Sequence, residues 1–152
     1  MPALKDALSN LSNIAQQLNE ESDSVNELIA TVEGAINQAN PGIEVWLDRW
    51  EYDRLEPEYY TDPQALKDLR TFWIIGYGSV EGGWRIIARQ EEEDINDADA
   101  VSRLCDHARP LASCARSLRV GAAPLLERLV ERITERAKEM LRNLREAKEK
   151  AK

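Results

Sequence analysis

Apolar residues return every four and then every three places from the start of the chain: Leu4, Leu8, Leu11, Ala15, Leu18, Ser22, Val25, Ile29, Val32 and Ile36. A repeat averaging 3.5 keeps one stripe of a helix apolar, so this spacing predicts a long N-terminal helix with a heptad seam. Ser22 is the polar member of the series. Ser24, followed three places later by Glu27, has the form of a capping box, so one bent helix and two stacked helices both fit the pattern. Asn40-Pro41-Gly42 ends the segment, since proline cannot continue the ladder and glycine suits a left-handed exit.

The period then drops to two. Ile43, Val45 and Leu47 alternate with Glu44, Trp46 and Asp48, predicting a strand from Ile43 to Trp50. Glu51 to Asp62 reads as an acidic, aromatic connection, and Thr61-Asp62-Pro63 as the cap and first turn of a short helix through Leu69. Thr71 to Ser79 and Trp84 to Gln90 are aromatic and β-branched runs joined by Val80-Glu81-Gly82-Gly83, which predicts a tight hairpin. Gly76 and Gly78 lie inside the first arm, where a strand glycine marks a bulge or the close approach of another group.

Helical spacing resumes after Glu91-Glu92-Glu93-Asp94. Ile95, Ala98, Val101, Leu104 and Cys105 predict a helix from Asp94 to His107, interrupted by Pro110, then a short helix from Leu111 to Leu118. Gly121 and Pro124 reset the chain. Leu126, Val130, Ile133, Ala137, Met140, Leu144, Ala147 and Ala151 form a second heptad seam, with 148–152 expected to fray. The predicted fold is α+β in one domain over 1–152: a long N-terminal helix or two stacked ones, a three-stranded antiparallel sheet, short helices and a long C-terminal heptad helix.

At about 1.5 Å per residue the first helix reaches about 50 Å and the last about 40 Å. Strands of five to eight residues reach only about 17–27 Å. The seams therefore outrun the sheet and must cover each other or be covered by another chain, which makes a homodimer the expected partner arrangement and a different protein the next. The order of helix, three strands and helices is similar in layout to bacterial secretion chaperones and other small adaptor proteins, a resemblance that carries over no residue.

Charge sharpens this picture. The 152 residues carry a net −8, which disfavours general binding of nucleic acid or anionic membrane. It is divided unevenly: 1–60 hold 3 basic and 12 acidic side chains, 61–120 hold 8 and 10, and 121–152 hold 9 and 6. An acidic first helix and a basic last one attract, although each exposed ion pair contributes only about 0–1 kcal/mol. No apolar run has the length of a membrane span and the start lacks a signal-peptide pattern, so a cytoplasmic protein is expected.

Two surfaces stand out as sites. Trp46, Trp50, Tyr59, Tyr60, Trp73 and Trp84 concentrate in the sheet region and are expected to bind a protein partner through an aromatic sheet face. Arg103, Arg109, Arg116 and Arg119 against Asp106 make 103–119 locally +3, and with His107 they form the alternative, a site for a phosphate-bearing ligand or nucleic acid. Cys105, His107 and Cys114 match no zinc spacing, and Asp94 to Asp99 lacks the central glycine of a calcium loop. A phosphate loop, a nucleophile elbow and a zinc-protease helix are all missing, so neither cofactor nor metal is expected and a non-enzymatic interaction protein is the predicted function.

Overall fold

A computed structural model describes the backbone of residues 2–48, 58–62, 67–94, 97–103 and 108–152, and the side chains within 3–48, 71–92 and 108–152. The fold is α+β. Helix α1 runs from Pro2 to Ala39 as 38 residues without a break. The Ser22 region is therefore continuous helix, and Ser24 donates its hydroxyl back to the Glu20 carbonyl at 3.2 Å instead of capping a second helix. Asn40 and Gly42 then turn the chain at positive φ.

Among the described residues the sheet is antiparallel, as expected, and has six strands where three were expected. Its main path is β1 (Val45–Trp46), β3 (Lys67–Val80), β4 (Gly83–Asp94) and β5 (Asp97–Arg103). β2 (Glu58–Asp62) also pairs with β3, and β6 (Arg109–Pro110) with β4. The hairpin lies where the sequence puts it, closing with Val80 opposite Gly83. Glu81 and Gly82 both take positive φ there, 52° and 82°, as a two-residue turn matched to strand twist requires.

Several expected boundaries move. Glu58 to Asp62 is a strand within the expected connection, and β3 starts at Lys67, so the end of the expected helix through Leu69 is extended instead. The first expected strand pairs only at Val45 and Trp46, although the bond from Leu47 N–H to the Ile75 carbonyl at 2.9 Å prolongs it. Its residues 49 and 50 lie outside the described residues. Asp97 to Arg103, expected as helix, is strand β5; residues 95–96 and 104–107 of that expected helix are outside the description.

Leu111–Ser113 is a short 3-10 turn and α2 runs from Arg116 to Ala122. A second 3-10 turn, Ala123–Leu125, holds Pro124 and leads without a gap into α3, Leu126–Lys150. Proline is tolerated in this first turn because its missing N–H would have had no helical partner. Helix continues through Lys150, and Ala151 and Lys152 lie beyond its end.

The core forms where the helices cross one face of the sheet. Alternation along the strands puts Ile75, Tyr77, Ile86 and Ala88 on this face, each at most 1% exposed. Ile43, Val45 and Leu47 supply a third row. Against them lie Ile29 and Ile36 of α1, Leu118 and Ala122 of α2, and Leu126, Leu129 and Ile133 of α3. Polar contacts pin the layers: Glu33 of α1 accepts from Ile86 N–H at 2.9 Å and pairs with Arg85 at 3.0 Å. Arg132 of α3 pairs with Asp48 at 3.1 Å.

The opposite face is also covered. Phe72, Ile74, Ile87 and Glu91 are buried there. Trp46 lies over Gly76, where an added Cβ would meet its ring at 2.6–2.7 Å, and the Arg89 guanidinium stacks on the same ring at 4.0 Å from its centroid. Arg89 is held in turn by Glu91 at 2.9 Å.

Candidate interaction surface

Only part of each long helix reaches the sheet. In α1 the seam is buried or half-buried from Ser22 to Ile36, whereas Leu4, Leu8, Leu11 and Ile14 are 56–63% exposed and Leu18 is 47% exposed. These residues, with Ala7 and Ala15, occupy positions i, i+3, i+4 and i+7 and form one apolar face. Residues 7–19 contain no charged side chain. Each leucine of this stripe still forgoes roughly 1 kcal/mol that burying its exposed half would give.

Helix α3 repeats the arrangement at its other end. Leu126, Leu129 and Ile133 are buried, and beyond Ala137 the stripe continues into solvent as Met140, Leu141 and Leu144. Its buried edge differs by one place from the expected seam: Leu129 is inside and Val130 is 40% exposed. Residues 138–152 hold six basic and three acidic side chains, a net +3, while α1 holds one basic and six, a net −5.

Between the two helices runs an open groove of about 540 Å³. Thr31, Ala35 and Ala39 form one wall at helical spacing, Val130, Thr134 and Ala137 the other, and Ile36 and Ile133 reach its floor. None of its lining residues is charged. The sole polar side chains in it are two threonines, and the Thr134 hydroxyl is already donated to the Val130 carbonyl at 2.9 Å. A small-molecule site ordinarily combines an apolar wall with several convergent polar groups. This groove offers shape and apolar surface alone, which suits the side of another helix.

A scan against protein-family models and searches of curated proteins and solved structures return no match to this chain.

The expected aromatic surface is divided between two faces of the sheet. Trp73 and Trp84 lie on the helical side, half-buried against the core; Trp84 stacks on Tyr77 at 5.4 Å, and its carbonyl accepts from the Asn37 side chain at 3.0 Å. Trp46 is on the other side, beneath Arg89. Tyr59 and Tyr60 lie in β2 with their side chains outside the description, and Trp50 lies outside the described residues.

Of the arginine cluster, Arg116 donates to Asn19 at 2.7 Å, and Arg119 donates to Asn26 and to the Cys114 carbonyl. These two therefore brace α2 against α1. Arg109 is exposed on β6, and Arg103 stands opposite Glu91 in the β4–β5 ladder with its side chain not described. His107, Cys105 and Asp106 lie outside the described residues. Cys114 is buried, with its thiol directed to the Pro110 carbonyl at 3.4 Å. Burial raises its pKa and Arg109 and Arg119 partly offset this, which leaves a protonated thiol and a poor nucleophile. Among the described residues no three metal-ligating side chains gather, and no described helix is long and apolar enough to cross a membrane.

Sequence reasoning identified both stripes and missed the groove. Its trace was present in Thr31, Ala35 and Ala39, small residues repeating every fourth place beside the seam, a pattern that lets another backbone come close. Which face they border depends on where α3 crosses, and that is a tertiary property.

Proposed function

We propose that this is a non-enzymatic, cytoplasmic interaction protein of adaptor or chaperone-like character that self-associates as a homodimer through its long helices. The observation that carries the reading is the exposed stripe Leu4, Leu8, Leu11, Ile14 and Leu18 on a helix whose other half is fixed into the core. Apolar faces of this extent on soluble proteins mark interaction surfaces. Homotypic association is favoured because the chain carries its own complement: an uncharged apolar overhang on α1, a second apolar overhang on α3, and between the helices a groove with no charged lining.

Sedimentation equilibrium between about 1 and 100 μM tests this. The expected result is a mass of two chains, falling toward one when Leu8 and Leu11 are both changed to glutamate. A single-chain mass across the whole range removes the self-association.

A further inference from the structure

The stripe and the groove fit one another, and we infer that the N-terminal stripe of α1 in one copy seats along α3 of a second copy, in the groove between α1 and α3 and on the apolar line that continues it. This rests on the self-association proposed above and names the surfaces that carry it.

Three observations favour this occupant. The lengths agree, since Leu4 to Leu18 and Val130 to Leu144 each cover about 21 Å of helix axis. Side-chain sizes are complementary: the stripe offers leucine and isoleucine, and the groove walls are threonine, alanine and valine. The uncharged stretch 7–19 meets a groove with no charged lining, so seating it leaves no ionised group buried.

The stripe cannot reach the groove of its own chain. Both belong to one unbroken helix, with Leu11 and Ala35 separated by about 36 Å along a stiff axis. A stripe of this sequence seated in that groove therefore comes from a second copy. Contacts also advance together along the two segments: Asn19 meets Arg116, Asn26 meets Arg119, and Val32 and Ile36 share the groove with Val130 and Ile133. The free end of α1 and the free end of α3 thus leave opposite ends of the contact zone. Reversing one copy about a twofold axis brings each stripe beside the other's groove, a closed reciprocal dimer.

Complementary variants test the pairing. Leu8→Glu with Leu11→Glu disables the stripe, and Ala35→Glu with Thr134→Glu disables the groove; all four positions are exposed, and unchanged far-ultraviolet circular dichroism, with a melting temperature equal to that of the wild type at a dilution where the wild type is monomeric, checks the fold. Should the groove pair disturb folding, Ala39→Glu at the last helical residue replaces it. Each variant alone is expected to dimerise at least tenfold more weakly than the wild type. An equimolar mixture is expected to recover dimer, because one intact stripe then meets one intact groove.

Wild-type association by the groove variant, or a mixture no tighter than either component, overturns the pairing while leaving self-association in place. A wild-type protein sedimenting as one chain overturns both.

Discussion

At the scale of single residues, the second face of the sheet turns on Gly76. A Cβ there would collide with the backbone carbonyl oxygen of Val45 and with the Trp46 ring, which Arg89 then covers. Gly76→Ala is expected to cost about 1–3 kcal/mol, typical of overpacking, measured as a lower urea midpoint with an unchanged slope. The need for glycine here was legible in the sequence as a strand glycine marking close approach. The identity of the approaching group was not, because Trp46 meets Gly76 only through the β1–β3 register, and Arg89 reaches the Trp46 ring only through the β3–β4 register. Two buried groups also set an alkaline limit. Burial raises the pKa of Tyr77, with Glu33 adding to it, and burial raises that of Cys114 against the pull of Arg109 and Arg119. In the unfolded chain these groups ionise near about 10 and about 8.5, while the fold keeps them protonated. The unfolded state then binds fewer protons, so stability falls as pH rises. Denaturation midpoints are expected to be level from pH 7 to 8 and to decline above about 8.5, with Cys114→Ala removing the first part of the decline.

At the scale of elements, both seams were legible because a heptad repeat held over many turns has few other structural solutions. Their burial was only partly so. The line through Val130 and the line through Leu129 differ by a single step around α3, and the packing of β1 and β3 against it selects Leu129. Leu129→Ala is accordingly expected to cost about 2–5 kcal/mol in thermal or urea unfolding, against less than about 0.5 for Val130→Ser in a dilute, unassociated sample. Strand β5 shows the opposite error. Ala98 and Val101 sit at helical spacing, yet a segment this short and this poor in apolar residues has little periodicity of its own. It is paired instead along β4, with Arg103 opposite Glu91 and Val101 opposite Glu93. The charge-run reading of 103–119 failed to see that Asn19 and Asn26 on α1, far earlier in the chain, supply acceptors for Arg116 and Arg119.

At the scale of the whole molecule, stability and assembly are coupled. Any partner that binds the folded state alone raises its apparent stability in proportion to the logarithm of concentration. The melting temperature of the wild type is therefore expected to climb as protein is raised from about 1 to 100 μM, and that of the Leu8→Glu, Leu11→Glu variant to stay level; calorimetry across this range decides it. The unbroken course of α1 has a mechanical consequence as well. A helix without a hinge is a strut, so anything that grips Leu11 is held about 27 Å along the axis from Ile29 in the core, and a pull on one end is felt at the other.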